Sequence, residues 1–503
     1  MSSNANLYTA YAKHFPADLD QPLLTTPAGG TLSYGEADRE SARIANYLTA
    51  SGASPGDRVT VQVEKSTGCL CLYLACLRAG LVYHPLNTAY QSGELAYFLE
   101  NAEPAIVVCP SDARAMIEPL LPDTTRALLT MDSDGSGSLA DKSASCSDQQ
   151  AVVARSGEDL AALLYSSGTT GRPKGIMLTH SNLASNNETL VDAWGFSADD
   201  CLLHALPIFH VHGLFVGLGC VLMSGASMVW LDKFDANTVL TALPECTVMM
   251  GVPTYYTRLL ARPEFNRDCC SAIRLFISGS APLLAETFVE FEQRTGHAIL
   301  ERYGMTETGM NTSNPLVGER RAGTVGFPLP GVEARVVNDS GEPLPAGETG
   351  DLQVRGPNVF PGYWRMPDKT AEDFSADGFF NTGDVALIDA DGYVSIVGRA
   401  KDMIISGGLN IYPKEIELVL DDMLGVSESA VIGMPHPDFG EAVVAVLVAA
   451  SDAAPTADTV ISHCREQLAN FKVPKQVHYI DNLPRNAMGK VQKNLLRERY
   501  AAD

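Results

Sequence analysis

Positive charge is scarce in this sequence. Its 503 residues include 36 Lys and Arg against 60 Asp and Glu, which gives a formal net charge of −24. Nucleic acids and anionic membrane surfaces are bound through an excess of basic residues. The charge balance therefore excludes both as expected partners, and the sequence indicates no particular protein partner.

Paired cysteines and long apolar runs are also missing. The eleven cysteines are scattered without metal-ligand spacing, so neither a disulfide framework nor a zinc site is expected. The start of the chain has no charged-then-apolar signal pattern, and apolar runs such as 442–450 are too short to cross a bilayer. We expect a cytoplasmic protein.

Helix and strand patterns alternate over the first 320 residues. Segments 33–52 and 68–80 have helical periodicity, and 57–63 and 105–109 are typical of buried strands. This alternation predicts an α/β fold with mixed and parallel sheets covered by helices. Short strands with Gly/Pro turns then predict a β subdomain, and the last hundred residues predict a small α+β domain.

A loop rich in glycine and hydroxyl groups, "YSSGTTGRPKG" (165–175), follows an apolar run typical of a buried strand. Glycine lets the backbone approach a ligand closely, hydroxyls donate hydrogen bonds and lysine neutralises anionic charge, as a phosphate site requires. The loop differs from the common nucleotide-binding loop, because only two residues separate Gly168 from Gly171 and Lys174 precedes a glycine.

Four further motifs follow in order: "ERYGMTETG" (301–309), "GFFNTGD" (378–384), "GRAKD" (398–402) and "PRNAMGK" (484–490). Together with the loop they resemble the adenylate-forming superfamily of acyl-CoA synthetases, luciferase-like enzymes and adenylation domains, over essentially the whole chain. The resemblance implies that a carboxylate attacks the α-phosphate of ATP, with Mg²⁺ as cofactor, and that the thiol of CoA then displaces AMP. It also implies an N-terminal ATP- and acyl-binding domain (1–398), a hinge (399–402) and a mobile C-terminal domain (403–503).

The resemblance assigns the phosphate contacts residue by residue. Thr306 corresponds to the threonine at the α-phosphate and Glu307 to the carboxylate that holds Mg²⁺. The residues that match the loop around the β- and γ-phosphates are Ser166, Ser167, Gly168, Thr169, Thr170, Gly171 and Lys174.

The nucleoside contacts are assigned in the same way. Tyr303 matches the aromatic ring against adenine, Asp384 the acceptor for both ribose hydroxyls, and Arg399 a second contact to the sugar. Taken alone, Tyr303 is typical of a core tyrosine and Asp384 of a turn residue.

Three positions near the C-terminus are assigned through the resemblance alone. Lys490 matches the mobile lysine that stabilises the α-phosphate during adenylation, although by composition it is one of several exposed lysines. Asp402 matches the hinge that removes this lysine before thioester formation. Gly407 and Gly408 match the backbone that lines the path of the CoA pantetheine.

The acyl pocket is predicted from three segments. His210 in "HALPIFHVHGLF" lies where the family often keeps an aromatic residue or histidine beside the reacting carboxylate. Arg258 in "MGVPTYYTRLL" and Ser280 in "FISGSAPL" complete the set. The sequences of these segments resemble those of malonyl-CoA synthetases, in which the equivalent arginine, serine and histidine hold the free carboxylate of malonate. We therefore expect malonate, with 2-methylmalonate also accepted.

Several alternatives stay open at this point. By position alone, Arg258 ends an amphipathic helix and faces solvent, and the acid is then a short or medium monocarboxylate. A second alternative loads a carrier-protein thiol instead of CoA. A third, a non-catalytic ATP-binding relative, is disfavoured because Lys490, Glu307, Asp384 and Arg399 are all present.

Overall fold

The structure is a computed structural model that describes residues 4–166, 173–406, 409–436, 440–450, 454–468, 470–486 and 489–501. The first part of the chain alternates helices with short strands. These elements are α1 (Leu7–Ala12), β1 (Pro22–Thr25), β2 (Thr31–Ser33), α2 (Tyr34–Ala50), β3 (Arg58–Val61), α3 (Thr67–Arg78), β4 (Val82–Pro85), α4 (Ser92–Ala102), β5 (Ile106–Cys109), α5 (Arg114–Ile117), β6 (Ala127–Thr130), α6 (Ser138–Ser143), β7 (Leu160–Tyr165), β8 (Gly175–Thr179) and α7 (His180–Trp194).

A six-stranded sheet forms here in the order β6-β5-β3-β4-β7-β8. Its strands are parallel except for β7 and β8, which pair antiparallel. The predicted phosphate loop therefore connects two neighbouring antiparallel strands. Helix α3 covers the sheet and is buried along its length, which explains its uninterrupted apolar sequence.

The middle of the chain continues the alternation and includes one π-turn (His212–Gly217). Its other elements are β9 (Cys201–His204), α8 (Leu218–Ser224), β10 (Ser227–Trp230), α9 (Ala236–Ala242), β11 (Val248–Gly251), α10 (Pro253–Leu260), β12 (Leu275–Ser278), α11 (Ala285–Thr295), β13 (Leu300–Met305), β14 (Gly309–Ser313) and β15 (Phe327–Pro328). They build a nine-stranded sheet in the order β15-β14-β13-β12-β11-β9-β10-β1-β2, whose central strands are parallel.

The predicted β subdomain is a four-stranded antiparallel sheet, in which each strand pairs with the next one along the chain. Its elements are β16 (Glu333–Val337), β17 (Thr349–Arg355), α12 (Pro367–Asp373), β18 (Phe380–Ile388) and β19 (Val394–Arg399). Side chains of this sheet, including Leu352, pack into the same core as Trp194 of α7 and Phe215 of the π-turn.

The last segment forms a five-stranded sheet with its own core. Its elements are β20 (Ile404–Ser406), β21 (Leu409–Ile411), α13 (Pro413–Asp421), β22 (Val426–His436), β23 (Gly440–Ala449), α14 (Ala457–Gln467), β24 (Gln476–Tyr479) and α15 (Lys493–Tyr500). Val394 belongs to the large core and Ile404 to the core of this segment. That change supports the predicted hinge at 399–402, which stays a prediction along with the two domain boundaries.

The predicted fold class is confirmed: a large α/β part with a β subdomain precedes a smaller α+β part. Within the described residues, no helix has both the length and the apolar character needed to cross a bilayer.

Candidate active site

The two ends of the phosphate loop are joined to each other. The Ser166 N–H donates to the Lys174 carbonyl over 3.0 Å, and the Lys174 N–H donates to Ser166 Oγ over 3.1 Å. The Lys174 ammonium lies 4.1 Å from the ring centroid of Tyr363 and 3.6 Å from the carboxylate of Asp373. The other predicted loop residues, Ser167, Gly168, Thr169, Thr170 and Gly171, lie outside the described residues.

Glu307 is buried just after β13, and three cations act on its carboxylate. Burial raises its pKa, whereas the charges of Lys174, Arg399 and Lys490 lower it. The Glu307 carbonyl accepts a hydrogen bond from the Phe360 N–H over 2.8 Å, which fixes the backbone of the turn. The preceding Thr306 is half-buried.

The residues predicted at the nucleoside form one hydrogen-bonded group. The Tyr303 hydroxyl donates to Asp384 Oδ2 over 2.5 Å, and Arg399 Nε lies 3.1 Å from Asp384 Oδ1. Asp384 and Arg399 face each other in the register of β18 and β19, which places the ion pair across two neighbouring strands. Burial and the nearby Asp384 carboxylate raise the pKa of Tyr303, so its hydroxyl stays a donor.

Lys490 reaches this group from the last segment of the chain. The Asn486 N–H donates to the Lys490 carbonyl over 2.9 Å, and the Lys490 N–H donates to Asn486 Oδ1 over 3.0 Å, so two hydrogen bonds join these two residues. A β-carbon at Gly489 would lie 3.5 Å from Thr254 Oγ1, which places the turn against the start of α10. Burial and the charge of Arg399 lower the pKa of Lys490 to about 8.

His210 and Ser280, both predicted for the acyl pocket, lie close to a second histidine, His212. His210 is half-buried, and burial together with the Lys490 charge lowers its pKa to about 4. Ser280 has a left-handed backbone (φ 73°), an uncommon conformation for a residue with a β-carbon. Its Oγ lies 3.1 Å from Nδ1 of His212, which is buried. The structure thus pairs Ser280 with His212, two residues beyond the predicted His210.

Arg258 lies at the protein surface. Its side chain is exposed on α10, because Tyr256 and Leu259 occupy the buried face of that helix. Its exposure agrees with the alternative that Arg258 faces solvent, and its predicted contact with the substrate stays a prediction.

The buried cation beside Ser280 and His212 is Arg302, on β13. It is 2% exposed, and its Nε and Nη2 have no hydrogen-bond partner within the part of the chain that the structure describes. A β-carbon at Gly279 would lie 2.5 Å from Arg302 Cζ, so a glycine is needed next to the guanidinium. The charge of Arg302 acts on both His212 and Lys490. Sequence reasoning missed this residue, although it lies inside the motif "ERYGMTETG".

The predicted hinge residue is paired with the last helix. Asp402 Oδ1 lies 3.0 Å from Nη2 of Arg497, on α15. Gly407 and Gly408, predicted along the path of the CoA pantetheine, lie outside the described residues.

Among the described residues, no three His, Cys, Asp or Glu side chains are grouped closely enough to hold a metal ion by themselves. A single carboxylate completed by substrate phosphate oxygens is normal for Mg²⁺, which keeps much of its coordination shell for water and phosphate. Glu307, buried and facing the side where Lys174 and Lys490 converge, fits that role.

Comparison with known proteins identifies two matching family models. The model described as AMP-binding enzyme matches residues 12–364, and the AMP-binding enzyme C-terminal domain matches residues 415–490. The crystal structure of ATP-bound MatB from Rhodopseudomonas palustris is 53% identical, with a TM-score of 0.97 and 99% of each chain covered.

Curated relatives include several CoA ligases. A feruloyl-CoA synthase from an Amycolatopsis species is 37% identical over 479 residues, covering 94% of this chain and 95% of the relative. A malonate–CoA ligase from Arabidopsis thaliana is 32% identical over 526 residues, covering 93% of this chain and 85% of the relative.

Proposed function

The chain belongs to the AMP-binding enzyme family, and we propose that it is a malonate–CoA ligase. It converts ATP, malonate and CoA into malonyl-CoA, AMP and diphosphate through malonyl-adenylate. As an AMP-forming acid–CoA ligase, it first makes a carboxylate oxygen part of a good leaving group. Catalysis then consists mostly of positioning the reactants and stabilising charge on phosphate oxygens.

The convergence of cations on one buried carboxylate supports the adenylation step. Lys490 stabilises the charge on the α-phosphate while the acid attacks it, and Thr306 donates to the same phosphate. Ser166 and Lys174, with the loop between them, hold the β- and γ-phosphates. Glu307 would hold Mg²⁺, which neutralises phosphate charge when it is bound.

The hydrogen-bonded group of Tyr303, Asp384 and Arg399 supports the nucleoside contacts. Asp384 is 4% exposed and already accepts two donors, so its carboxylate is oriented before the ribose hydroxyls arrive. The Tyr303 ring then lies against adenine. After adenylation, rotation about Asp402 withdraws Lys490, and CoA enters along Gly407 and Gly408.

The observation that carries the choice of acid is the unpartnered guanidinium edge of Arg302. A buried charged group without a partner is costly, and an arginine can bind a carboxylate through two parallel hydrogen bonds. The free carboxylate of malonate would supply that partner, with Ser280 and His212 beside it. Arg302 therefore takes the role that the sequence assigned to Arg258. A 2-methyl substituent leaves both carboxylates in place, so we include methylmalonate as a second substrate.

The alternative is a monocarboxylic acid, as the similarity to a feruloyl-CoA synthase illustrates. An uncharged acyl group would leave Nε and Nη2 of Arg302 buried without a hydrogen-bond partner in the bound complex, which is strongly unfavourable for a cation. The geometry therefore favours the dicarboxylate. We propose the cytoplasm as the place of action, because the cysteines are all free in the structure.

Thioester formation tests this function directly. The purified chain is assayed with ATP, Mg²⁺ and CoA against malonate, methylmalonate, succinate, propionate and a medium-chain acid, one acid per assay. We expect the highest kcat/KM for malonate, and a loss of activity when Mg²⁺ is chelated. A higher kcat/KM for propionate or the medium-chain acid would overturn the choice of acid and leave the reaction class intact.

A further inference from the structure

A second buried cation lies outside the phosphate and acyl contacts. Lys65, four residues beyond β3, is 7% exposed. Its Nζ lies 2.8 Å from His204 Nδ1, 2.7 Å from the His204 carbonyl and 2.6 Å from the Leu231 carbonyl. The ammonium also lies 4.1 Å from the ring centroid of Trp230. Three acceptors and an aromatic face thus surround one side chain.

The hydrogen bonds of Lys65 and His204 show which nitrogen atoms of the two side chains carry hydrogen. An ammonium has three donors, and Lys65 uses all three. His204 Nδ1 then accepts, so the imidazole hydrogen is on Nε2, which donates to the Gly213 carbonyl over 2.9 Å. Burial lowers the pKa of Lys65, and the charge of Asp232 opposes that effect. The three acceptors and the Trp230 ring also favour the ammonium form. An uncharged Lys65 amine could accept a hydrogen bond from His204 Nδ1. In that tautomer His204 Nε2 carries no hydrogen, so its lone pair would face a lone pair of the Gly213 carbonyl oxygen.

The Gly213 carbonyl is also part of the π-turn. It accepts the Leu218 N–H, the bond over five residues that defines this wide turn. Both lone pairs of this oxygen are therefore used, one by the turn and one by His204. A β-carbon at Gly217 would lie only 3.3 Å from the His204 ring, so the imidazole packs directly under the turn.

The π-turn begins at His212, whose Nδ1 meets Ser280 Oγ over 3.1 Å. The width of a turn decides where its side chains point, because an ordinary α-turn would move each of them around the helix axis. Whatever holds the Gly213 carbonyl therefore also holds the His212 imidazole at the acyl pocket.

We propose that Lys65 is a positioning residue for acid recognition. Through His204 and Gly213 it holds the π-turn in the form that keeps His212 against Ser280. Lys65 acts through other residues, because its three hydrogen bonds go to His204 and Leu231. This inference rests on the proposed function, because the acid whose recognition it supports is malonate.

The first test compares Lys65→Met with Arg58→Met. Arg58 is the matched control, since its guanidinium also ties backbone carbonyls together, at Ala102 and Glu103, but lies outside the chain to Gly213. For Lys65→Met we expect kcat/KM for malonate to fall about 10- to 100-fold, because a small misplacement of the reacting acid slows the reaction by about that factor. The KM for ATP stays within about twofold, and the preference for malonate over propionate falls. Arg58→Met keeps both the preference and the malonate KM.

A conservative variant separates positioning from general damage. His204→Gln keeps one acceptor and one donor on the side chain, and it retains more of the malonate preference than His204→Leu. Lys65→Met with an unchanged malonate KM and preference, or Arg58→Met with the same losses, would overturn the proposal.

A spectroscopic measurement on the unchanged protein covers the case in which Lys65→Met does not fold. ¹⁵N-histidine labelling reports the tautomer of each imidazole, and the signal lost in His204→Gln assigns His204. We expect His204 to carry hydrogen on Nε2 alone. A hydrogen on Nδ1 would overturn the proposed hydrogen bonds from Lys65 through His204 to Gly213. The unchanged protein also separates the two claims, because its acid preference tests the proposed function and its His204 tautomer tests the positioning chain.

Discussion

The guanidinium of Arg302 occupies the space that a side chain at residue 279 would need. A β-carbon at Gly279 would lie 2.5 Å from Arg302 Cζ and 2.7 Å from Arg302 Nε. The position of this buried charge therefore depends on a glycine in the neighbouring segment of the chain, and the pair gives a direct way to displace the guanidinium without removing it.

Gly279→Ala is expected to move the Arg302 guanidinium out of its place. The backbone at residue 279 accepts an L side chain and the contact is with the end of a long side chain, so the protein folds. We expect kcat/KM for malonate to fall about 10- to 100-fold, while the KM for ATP changes little. The control is Gly93→Ala on α4, where a β-carbon meets nothing within 4 Å. Equal kinetic losses in both variants would contradict the account.

Lys490→Ala is expected to separate the two half-reactions. Adenylation, measured as malonate-dependent exchange of pyrophosphate into ATP, falls by orders of magnitude because the α-phosphate loses its buried cation. Thioester formation from supplied malonyl-adenylate falls far less, since the proposed rotation about Asp402 withdraws Lys490 before that step. Lys475→Ala, at an exposed lysine of the same segment, is the control. Equal loss in both half-reactions would refute the role of Lys490.

The alkaline side of the pH profile follows from the lowered pKa of Lys490, about 8. The ammonium is the active form, so kcat/KM for adenylation is constant below this pH and falls up to tenfold per unit above it. The positive charges of Arg399 and Arg302 lower the pKa of Lys490, whereas the carboxylates of Asp384 and Glu307 raise it. Bound ATP adds negative charge and raises this pKa, so kcat falls at higher pH than kcat/KM. In Lys490→Arg we expect a lower maximal kcat/KM and no decrease at alkaline pH. A decrease that persists in this variant would show that another group titrates.

Glu307→Gln is expected to weaken Mg²⁺ dependence specifically. The Mg²⁺ concentration for half-maximal activity should rise about tenfold or more, because an amide is a weaker ligand than a carboxylate. Burial raises the pKa of Glu307 in the folded state, so stability falls as the pH rises from its ordinary value through the raised pKa and stays lower above it. The variant should therefore melt no lower than the unchanged protein at pH 7. The exposed Glu348→Gln is the control. An unchanged Mg²⁺ requirement in Glu307→Gln would remove Glu307 from the metal site.

The fold was predictable wherever a local pattern decides the structure. The apolar run at 68–80 predicts a buried helix, and α3 is buried along its length. The antiparallel pairing of β7 with β8 was not predictable, because both strands lie in a stretch that otherwise alternates like a parallel sheet. Pairing depends on partners far apart in the sequence, whereas helical periodicity is contained in the segment itself.

The candidate site divides in the same way. Tyr303, Asp384 and Arg399 lie in short ordered motifs, and the structure brings these three side chains together. Arg302 was missed because its burial depends on Gly279, more than twenty residues away in the chain. The pairing of His212 rather than His210 with Ser280 depends on the π-turn, which has no clear sequence signal.

One competition measurement tests the central claim most directly. Equal concentrations of malonate and propionate, which differ by the free carboxylate, are incubated together with ATP, Mg²⁺, CoA and the enzyme, and the ratio of the two thioesters is measured by mass spectrometry. We expect malonyl-CoA to dominate with the unchanged protein and with Arg258→Met, and the preference to be lost with Arg302→Met. A dominance of propionyl-CoA with the unchanged protein, or a preference that depends on Arg258 instead of Arg302, would contradict the account.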